Sequence, residues 1–437
     1  MMFETNPLQL WMNFTHFLFN NNDPVNLWHL FKELLELHVV FICYPILSLI
    51  AIFVQTFRFF YQLTKQGLQN SETTNLPKMD SVCITGASSG LGKALAKQVV
   101  VYWLRQAFLA SERKSFSNTT TTGMTSTTSD TTTSNESNAT SSTPKTVTLV
   151  SRNRSKLEKV QQELQKIVSE SGVLSSDSVH VIVRECDICD EKFIESIVTE
   201  VDYDLVICGA ATNSQILARE MQIDQKGMVT STASNSDNVV IDEEDVLRKE
   251  FQVNINGTLN TILPALKQAK KLRNPQFHSP KQIAIISSSV GYFGKLMGPY
   301  GITKTFLFEF FRLMNFLIES TSMNGIQLLT ESSSDQVRVF KEWTRKFANS
   351  HQVSFHVINP AGVIDTKMGE SIRNLEQFPG SVHAQNAARR ILNGLLQGQQ
   401  VIDLSHPFMY VALRLLNALP LSAESLLTRV FQLELYS

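Results

Sequence analysis

The chain has 437 residues, 43% of them apolar, which is enough to bury the core of one large domain or two medium ones. Its 39 basic and 40 acidic side chains leave a net charge of −1 without a basic stripe, which excludes a nucleic-acid binder that works by charge. Cys43, Cys83, Cys186, Cys189 and Cys208 are an odd set without regular spacing, which argues against a disulfide framework.

Residues 1–37 are mixed and carry no usable motif. From Val39 to Phe57 the chain reads VVFICYPILSLIAIFVQTF, with no charged side chain. With Leu37 and His38 this makes about 20 residues, or about 30 Å of helix, the thickness of a bilayer's hydrocarbon core. Pro45 would kink a soluble helix but is tolerated in a spanning one. A secretory signal would start nearer the N-terminus behind a basic flank, and this segment does neither. The reading is a single transmembrane anchor over 38–60, with a buried or interfacial helix as the alternative.

From residue 79 to 405 short apolar runs alternate with helical segments. The runs are SVCIT, TVTLV, VHVIV, DLVIC, QIAII and SFHVI, rich in Val and Ile. Apolar strands alternating with helices predict an α/β fold, a doubly wound parallel sheet covered on both faces. Three polar stretches interrupt it. Residues 115–144 are nearly pure Ser, Thr and Asn, and such a stretch cannot bury enough apolar area to offset its ordering entropy, so disorder is expected. Lesser insertions are expected at 226–240 and 320–336. The first and third join a helix to the next strand, opposite the face where ligands bind, whereas 226–240 follows a strand and is expected to border the substrate entrance.

Thr85-Gly86-Ala87-Ser88-Ser89-Gly90-Leu91-Gly92 follows the first strand and opens a helix. Gly86 permits a tight turn, Gly90 lets backbone approach a pyrophosphate, and Gly92 lets the helix pack closely. The helix's free N–H groups and positive end then meet the phosphates. After the second strand come Ser151 and Arg152, with no acid before Glu158. A Rossmann site for NAD places an acid there, and one for NADP offers Arg, so Arg152, with Ser151 beside it, selects NADP(H).

The turn is similar to the TGxxxGxG of the short-chain dehydrogenase/reductase family, and the resemblance continues along the chain. Cys186-Asp187-Ile188 resembles the family's adenine-contacting segment, with Asp187 and Ile188 at the cofactor. FQVNING at 251–257 resembles FxVNxxG, SSSVG at 287–291 resembles SSxxG, and Tyr300-Gly301-Ile302-Thr303-Lys304 is YxxxK. Pro360, Gly362, Val363 and Thr366 match the family's Pro-Gly loop. The resemblance implies a Rossmann-type NADP(H) enzyme. Where the family has NNAG after the fourth strand, this chain has Cys208-Gly209-Ala210-Ala211, with Gly209 at the cofactor. That departure keeps a second reading open, a catalytically weak nucleotide-binding homologue acting as a membrane scaffold.

Tyr300 and Lys304 lie at i and i+4, on one face of a helix. A phenol titrates near pH 10, and the nearby ammonium is expected to lower it, so that Tyr300 can exchange a proton with a carbonyl or alcohol oxygen. By resemblance Lys304 also binds the nicotinamide ribose, Ser288 orients the substrate oxygen, and Asn254 anchors a water-linked proton relay. Ser288 to Tyr300 is one residue short of the family spacing, so Ser287 is its rival. Cys186 and Cys189 form a CxxC with no second pair, so no metal site is expected.

The tail at 406–437 is apolar but broken by Arg414 and Pro420, which fits an interfacial helix, a lid or a core helix better than a span. Anchor and tail together resemble family members at the endoplasmic reticulum, among them hydroxysteroid dehydrogenases and ketosphinganine reductases. The expected substrate is therefore a lipophilic ketone or alcohol, the expected surroundings a membrane, and a homo-oligomer is carried by resemblance alone. Before the anchor Lys32 faces Asp23, Glu33 and Glu36, and after it come Arg58, Lys65 and Lys78, which puts the catalytic domain in the cytosol. Glycosidase treatment of protein made in cells checks this. No mobility change is expected, and a shift traced to Asn118, Asn135 or Asn138 places the domain in the lumen instead.

Overall fold

Each of the six apolar runs forms a strand in the computed structural model, which describes residues 79–119, 144–214, 216–217, 243–271, 280–292, 298–322, 353–370, 372, 375–377 and 380–405. They are β1 (Ser81–Thr85), β2 (Lys145–Ser151), β3 (Val179–Glu185), β4 (Leu205–Cys208), β5 (Lys281–Ile286) and β6 (Val353–Asn359), and a short β7 (Val401–Asp403) follows. All pair in parallel, in the order β3-β2-β1-β4-β5-β6-β7. Residues of β4 and β5 are buried throughout, as strands covered on both faces must be.

The helices are α1 (Gly90–Thr119), α2 (Arg154–Ser171), α3 (Glu191–Glu200), α4 (Glu243–Phe251), α5 (Thr258–Lys271), α6 (Gly298–Ser322), α7 (Lys367–Glu370) and α8 (Ala384–Leu396). A π-helical turn, Gln252–Gly257, joins α4 to α5. Local chemistry sets several ends. Asn153 caps α2 by accepting from Lys156 N–H at 2.9 Å, and Gly172 closes that helix at φ +63°. Asp190 caps α3 by accepting from Phe193 N–H at 3.0 Å.

Two layers of helix cover the sheet. Leu95, Val99 and Trp103 of α1, Leu157 and Leu164 of α2, and Ile391 and Leu395 of α8 share one core with Val82, Ile84, Val147 and Leu149. Trp103 is wholly buried and its indole N–H donates to Met79 O at 2.6 Å. On the other face α3 packs on α5, and α6 on β6.

Two boundaries differ from expectation. Helix α1 runs to Thr119 and α6 to Ser322, so each continues past the predicted edge of its polar insertion, at 115 and 320. Serine, threonine and asparagine are poor but not forbidden helix formers, and a helix already under way is extended at little cost. Residues 120–143 and 323–352 lie outside the described residues, as do the predicted anchor at 38–60, the stretch 226–240 and the tail at 406–437. Among the described residues no helix is long and apolar enough to cross a membrane.

The strand order reverses between β1 and β4, and the carboxyl ends of β2, β1 and β4 are level, with Thr85 opposite both Val150 and Cys208. That switch point is where a doubly wound sheet leaves a crevice for a ligand. The Gly-rich turn occupies it. Gly86 holds φ +75° and its N–H donates to Val150 O at 2.8 Å, which sews the turn to β2. A Cβ on Gly92 would stand 2.3 Å from the carbonyl oxygen of Gly86. Gly92→Ala is therefore expected to lower the melting temperature, by the equivalent of ~1–3 kcal/mol for overpacking against backbone that cannot move aside. Thermal denaturation checks it.

Candidate active site

Helix α1 opens at Gly90, and its first hydrogen bond back to the turn is Lys93 N–H to Ser89 O at 3.2 Å. The N–H groups before Lys93 are those that a helix leaves for an anion. Gly90 has φ +52°, and a Cβ there would come within 3.1 Å of the Thr366 methyl. Ser88 and Leu91 are half-buried and Ser89 is exposed beside it. The cradle is thus one that a side chain on Gly90 would fill, and it fits a pyrophosphate.

Thr366 belongs to the Pro-Gly loop, so the structure brings that loop over the Gly-rich turn across a long separation in sequence. Its hydroxyl donates to Val363 O at 2.8 Å and accepts from Gly369 N–H at 2.9 Å. Pro360 O accepts from Ser289 N–H at 2.9 Å, which joins the loop to the serine run. A Cβ on Gly362 would strike Leu375 and Ser381 at 2.5 Å.

Ser151 ends β2, and its carbonyl accepts from Cys186 N–H at 3.0 Å. Arg152 follows it, exposed at the rim of the crevice and near enough to Cys189 for its charge to act on that thiol. Asp187 Oδ1 accepts from Cys189 N–H at 2.9 Å. Ile188 is buried beneath Gly257, where a Cβ would stand 2.5 Å from it, and Ile188 O accepts from Asn260 at 3.1 Å. Among the described residues no group of three or more His, Cys, Asp or Glu could hold a metal ion.

The CGAA segment after β4 is held from β1. Thr85 Oγ1 accepts from Gly209 N–H at 3.1 Å and Ala210 N–H at 3.3 Å. Gly209 cannot carry a side chain, because a Cβ would stand 2.8 Å from Thr85 O. The loop without the motif's asparagine is thus still tied through its backbone, by Thr85, the first residue of TGASSGLG.

Asn254 lies fully buried in the π turn. Its side chain accepts from Thr212 N–H and donates to Thr212 O, both at 2.9 Å, and donates to Thr303 Oγ1 at 3.1 Å. An extra residue in the helix at this point is a recurrent feature of functional sites. Thr212 and Thr303 carried no signal of their own in the sequence.

Tyr300 and Lys304 share a face of α6, with the Lys304 Nζ 5.4 Å from the Tyr300 ring centre. Lys304 is almost wholly buried and donates to Ile286 O at 3.0 Å. Burial brings its amine down to about 8, and the Glu250 charge opposes that fall. The Ser288 hydroxyl donates to Pro360 O at 3.5 Å and lies near enough to the Tyr300 phenol to lower it. Contrary to expectation, that phenol stands above its ordinary value. Burial raises it most, Ser288 lowers it, and Glu250 raises it again. Lys304 spends its ammonium on the Ile286 carbonyl.

The rival serines are separated by geometry. Ser287 Oγ donates to Lys304 O at 2.8 Å, inside the core, and a Cβ on Gly291 would come within 3.0 Å of that hydroxyl. Ser288 is the serine that acts on the Tyr300 phenol.

No protein-family model matches the chain, and no curated protein does. Solved structures do. The bulky-bulky ketone specific alcohol dehydrogenase from Comamonas testosteroni is 15% identical, covering 80% of this chain and 94% of its own, with a TM-score of 0.43. A short-chain dehydrogenase from Sphingobium yanoikuyae in complex with NADPH is 16% identical over 79% and 94%, at 0.42. A short chain dehydrogenase from Burkholderia cenocepacia in complex with NADP is 14% identical over 80% and 98%, at 0.43. Likeness of that order says nothing of substrate or cofactor, and the functional reading rests on this chain's own residues.

Ser288→Ala is expected to lower kcat on a reducible ketone with little change in melting temperature. Ser287→Ala is expected to do the reverse, lowering stability by ~1 kcal/mol through the lost bond to Lys304 O. Steady-state kinetics and thermal denaturation of the two variants check this.

Proposed function

We propose that the chain is a short-chain dehydrogenase/reductase that uses NADP(H) to move a hydride between nicotinamide and a lipophilic ketone or alcohol. One observation carries the reading. Ser288, Asn254 and the pair Tyr300 and Lys304 come from three separate segments to the carboxyl side of one sheet, beside a Gly-rich turn that opens α1. The cofactor, when bound, supplies or accepts the hydride. Gly86, Ser88, Ser89, Gly90, Leu91 and Gly92 would hold its phosphates, Ser151 and Arg152 the ribose phosphate, and Asp187 and Ile188 its adenine. Gly209, Pro360, Gly362, Val363 and Thr366 would line the rest, and Lys304 would meet the nicotinamide ribose.

The chain's own chemistry is acid–base. Ser288 donates a hydrogen bond to the substrate oxygen, and Tyr300 gives that oxygen a proton in reduction or removes one in oxidation. Burial holds Tyr300 in its protonated form, the form that donates in reduction. Lys304 places a positive charge beneath the phenol as it turns phenolate. Asn254 holds the β4 loop beside it.

A lipophilic substrate is supported by the apolar 39–57 segment and the tail, which would keep the domain at a membrane, by our reading that of the endoplasmic reticulum with the domain on the cytosolic side. Hydroxysteroid and ketosphinganine substrates fit that surrounding equally, and a homo-oligomer remains part of the proposal. The scaffold reading draws on CGAA standing where the family has NNAG. The retained Tyr300 and Lys304 weigh against it.

The test is NADPH oxidation by the full chain in detergent against a panel of lipid ketones. Tyr300→Phe is expected to reduce kcat roughly 10²–10⁴-fold while NADPH binding, read by its fluorescence, stays. Arg152→Ala is expected to raise the KM for NADPH by the equivalent of roughly 1.5–3 kcal/mol and leave NADH unchanged. Full turnover by Tyr300→Phe overturns the mechanism, and a wild type that prefers NADH overturns the cofactor assignment.

A further inference from the structure

The mechanism uses Ser288 but leaves open what holds it. The serine follows β5 and leads into a 3-10 turn, Ser289–Tyr292. Its carbonyl accepts from Gly291 N–H at 2.9 Å and its hydroxyl from Val290 N–H at 3.3 Å. Such local bonds close a turn without fixing its tilt against the sheet.

The far end of the turn supplies the missing constraint. Tyr292 is almost wholly buried, and its hydroxyl donates to Asp403 Oδ2 at 2.6 Å and accepts from Asn359 Nδ2 at 2.7 Å. A phenol has one proton to give. Asp403, at the end of β7, takes it, so the amide of Asn359 is the donor in the second bond. Asp403 is itself held, since its Oδ1 accepts from the N–H of Ser405 at 2.8 Å and from the Ser405 hydroxyl. Asn359 ends β6 and is wholly buried, and its Oδ1 has no partner among the described residues. The side chain thus leaves an acceptor unpaired in the core while it keeps a donor on Tyr292. The next residue closes the ring. Pro360 O accepts from Ser289 N–H at 2.9 Å and from the Ser288 hydroxyl at 3.5 Å. Both ends of the serine turn are therefore bound to one dipeptide, Asn359-Pro360. The Tyr292 ring also meets Phe308 of α6 edge-on, with ring centres 4.9 Å apart. A phenylalanine at 292 would fill the same space and need neither Asp403 nor Asn359, so the hydroxyl serves orientation rather than burial.

We propose that Tyr292 is a positioning residue which, with Asp403 and Asn359, sets the tilt of the serine turn and so the place of the Ser288 hydroxyl in the site. This rests on the dehydrogenase reading above. Tyr292 takes part in no proton transfer and acts only through Ser288. Misplacing a reacting group by about 1 Å can cost about two orders of magnitude in rate, so a brace one turn away is legible in kcat.

The experiment uses the full chain in detergent, with Tyr292→Phe and Asp403→Ala each made alone and together with Ser288→Ala. The readouts are kcat and KM for a reducible ketone, NADPH binding by fluorescence, and crystal structures of the wild type and the two brace variants. Each brace variant is expected to lower kcat about tenfold, with KM and NADPH binding unchanged. In the Ser288→Ala background the same changes are expected to alter kcat by less than about twofold, because the serine through which they act is gone. A merely structural role would lower kcat by the same factor in both backgrounds. Equal losses in the two backgrounds overturn the proposal, as does an undiminished kcat in either brace variant. Should Tyr292→Phe not fold, Asp403→Ala decides by the same criteria. If the wild type turns over no ketone, the dehydrogenase reading fails by itself and the crystal structures decide the brace. A Ser288 hydroxyl displaced by about 1 Å or more in the folded brace variants upholds it, and an undisplaced one overturns it.

Discussion

The side chain of Asn254 bonds three segments that have no other reason to meet. It satisfies both the N–H and the carbonyl of Thr212, which follows β4, and reaches Thr303 on α6, while its own backbone lies in the π turn between α4 and α5. A buried amide that uses its oxygen and nitrogen on one peptide unit fixes that peptide's orientation, and losing it would leave backbone groups unpaired in the core. The π turn follows from this. One extra residue in the helix turns Asn254 inward without breaking the run from Glu243 to Lys271. With Thr212 placed, the segment carrying Gly209 and Ala210 is held at its far end, and Thr85 holds its near end from β1. The crevice at the switch point thus has a defined wall although the chain has no asparagine at the start of CGAA.

Burial sets the electrostatics of the site more than pairing does. Lys304, Glu250 and the Tyr300 hydroxyl are all withdrawn from water, and each is displaced toward its neutral form with burial as the largest cause. A tyrosine held protonated by burial is a suitable resting state for a proton donor. The cost of holding an amine and a carboxyl in an apolar interior is offset by specific bonds: Ile286 O for the lysine, Ser214 for the glutamate. Gly291 belongs to the same economy of space. Its missing side chain lets the serine run lie against the carbonyl of Lys304, so that Ser287 braces the helix and leaves Ser288 to act on the tyrosine.

The sequence by itself determined the sheet, the Gly-rich turn and the i, i+4 pairing of Tyr300 with Lys304. Those features depend on local pattern: runs of Val and Ile buried on both faces, glycines required by backbone contacts within a few residues, and helical spacing. The apolar composition of 39–57 and of the tail at 406–437 is likewise legible without a fold. Only the tertiary structure decided which of two adjacent serines acts on the tyrosine, since a one-residue difference turns on how the 3-10 turn at Ser289–Tyr292 packs against α6. It alone brought Thr366 to Gly90, and it alone reversed the expected sign of the Tyr300 shift. Spacing reports that an ammonium is near; it does not report how much water has been removed, and burial is the largest cause of the Tyr300 shift. Glu250 was illegible for the same reason. In the sequence it is one acid among several in a polar helix, and its burial arises only when α4 is laid against α6.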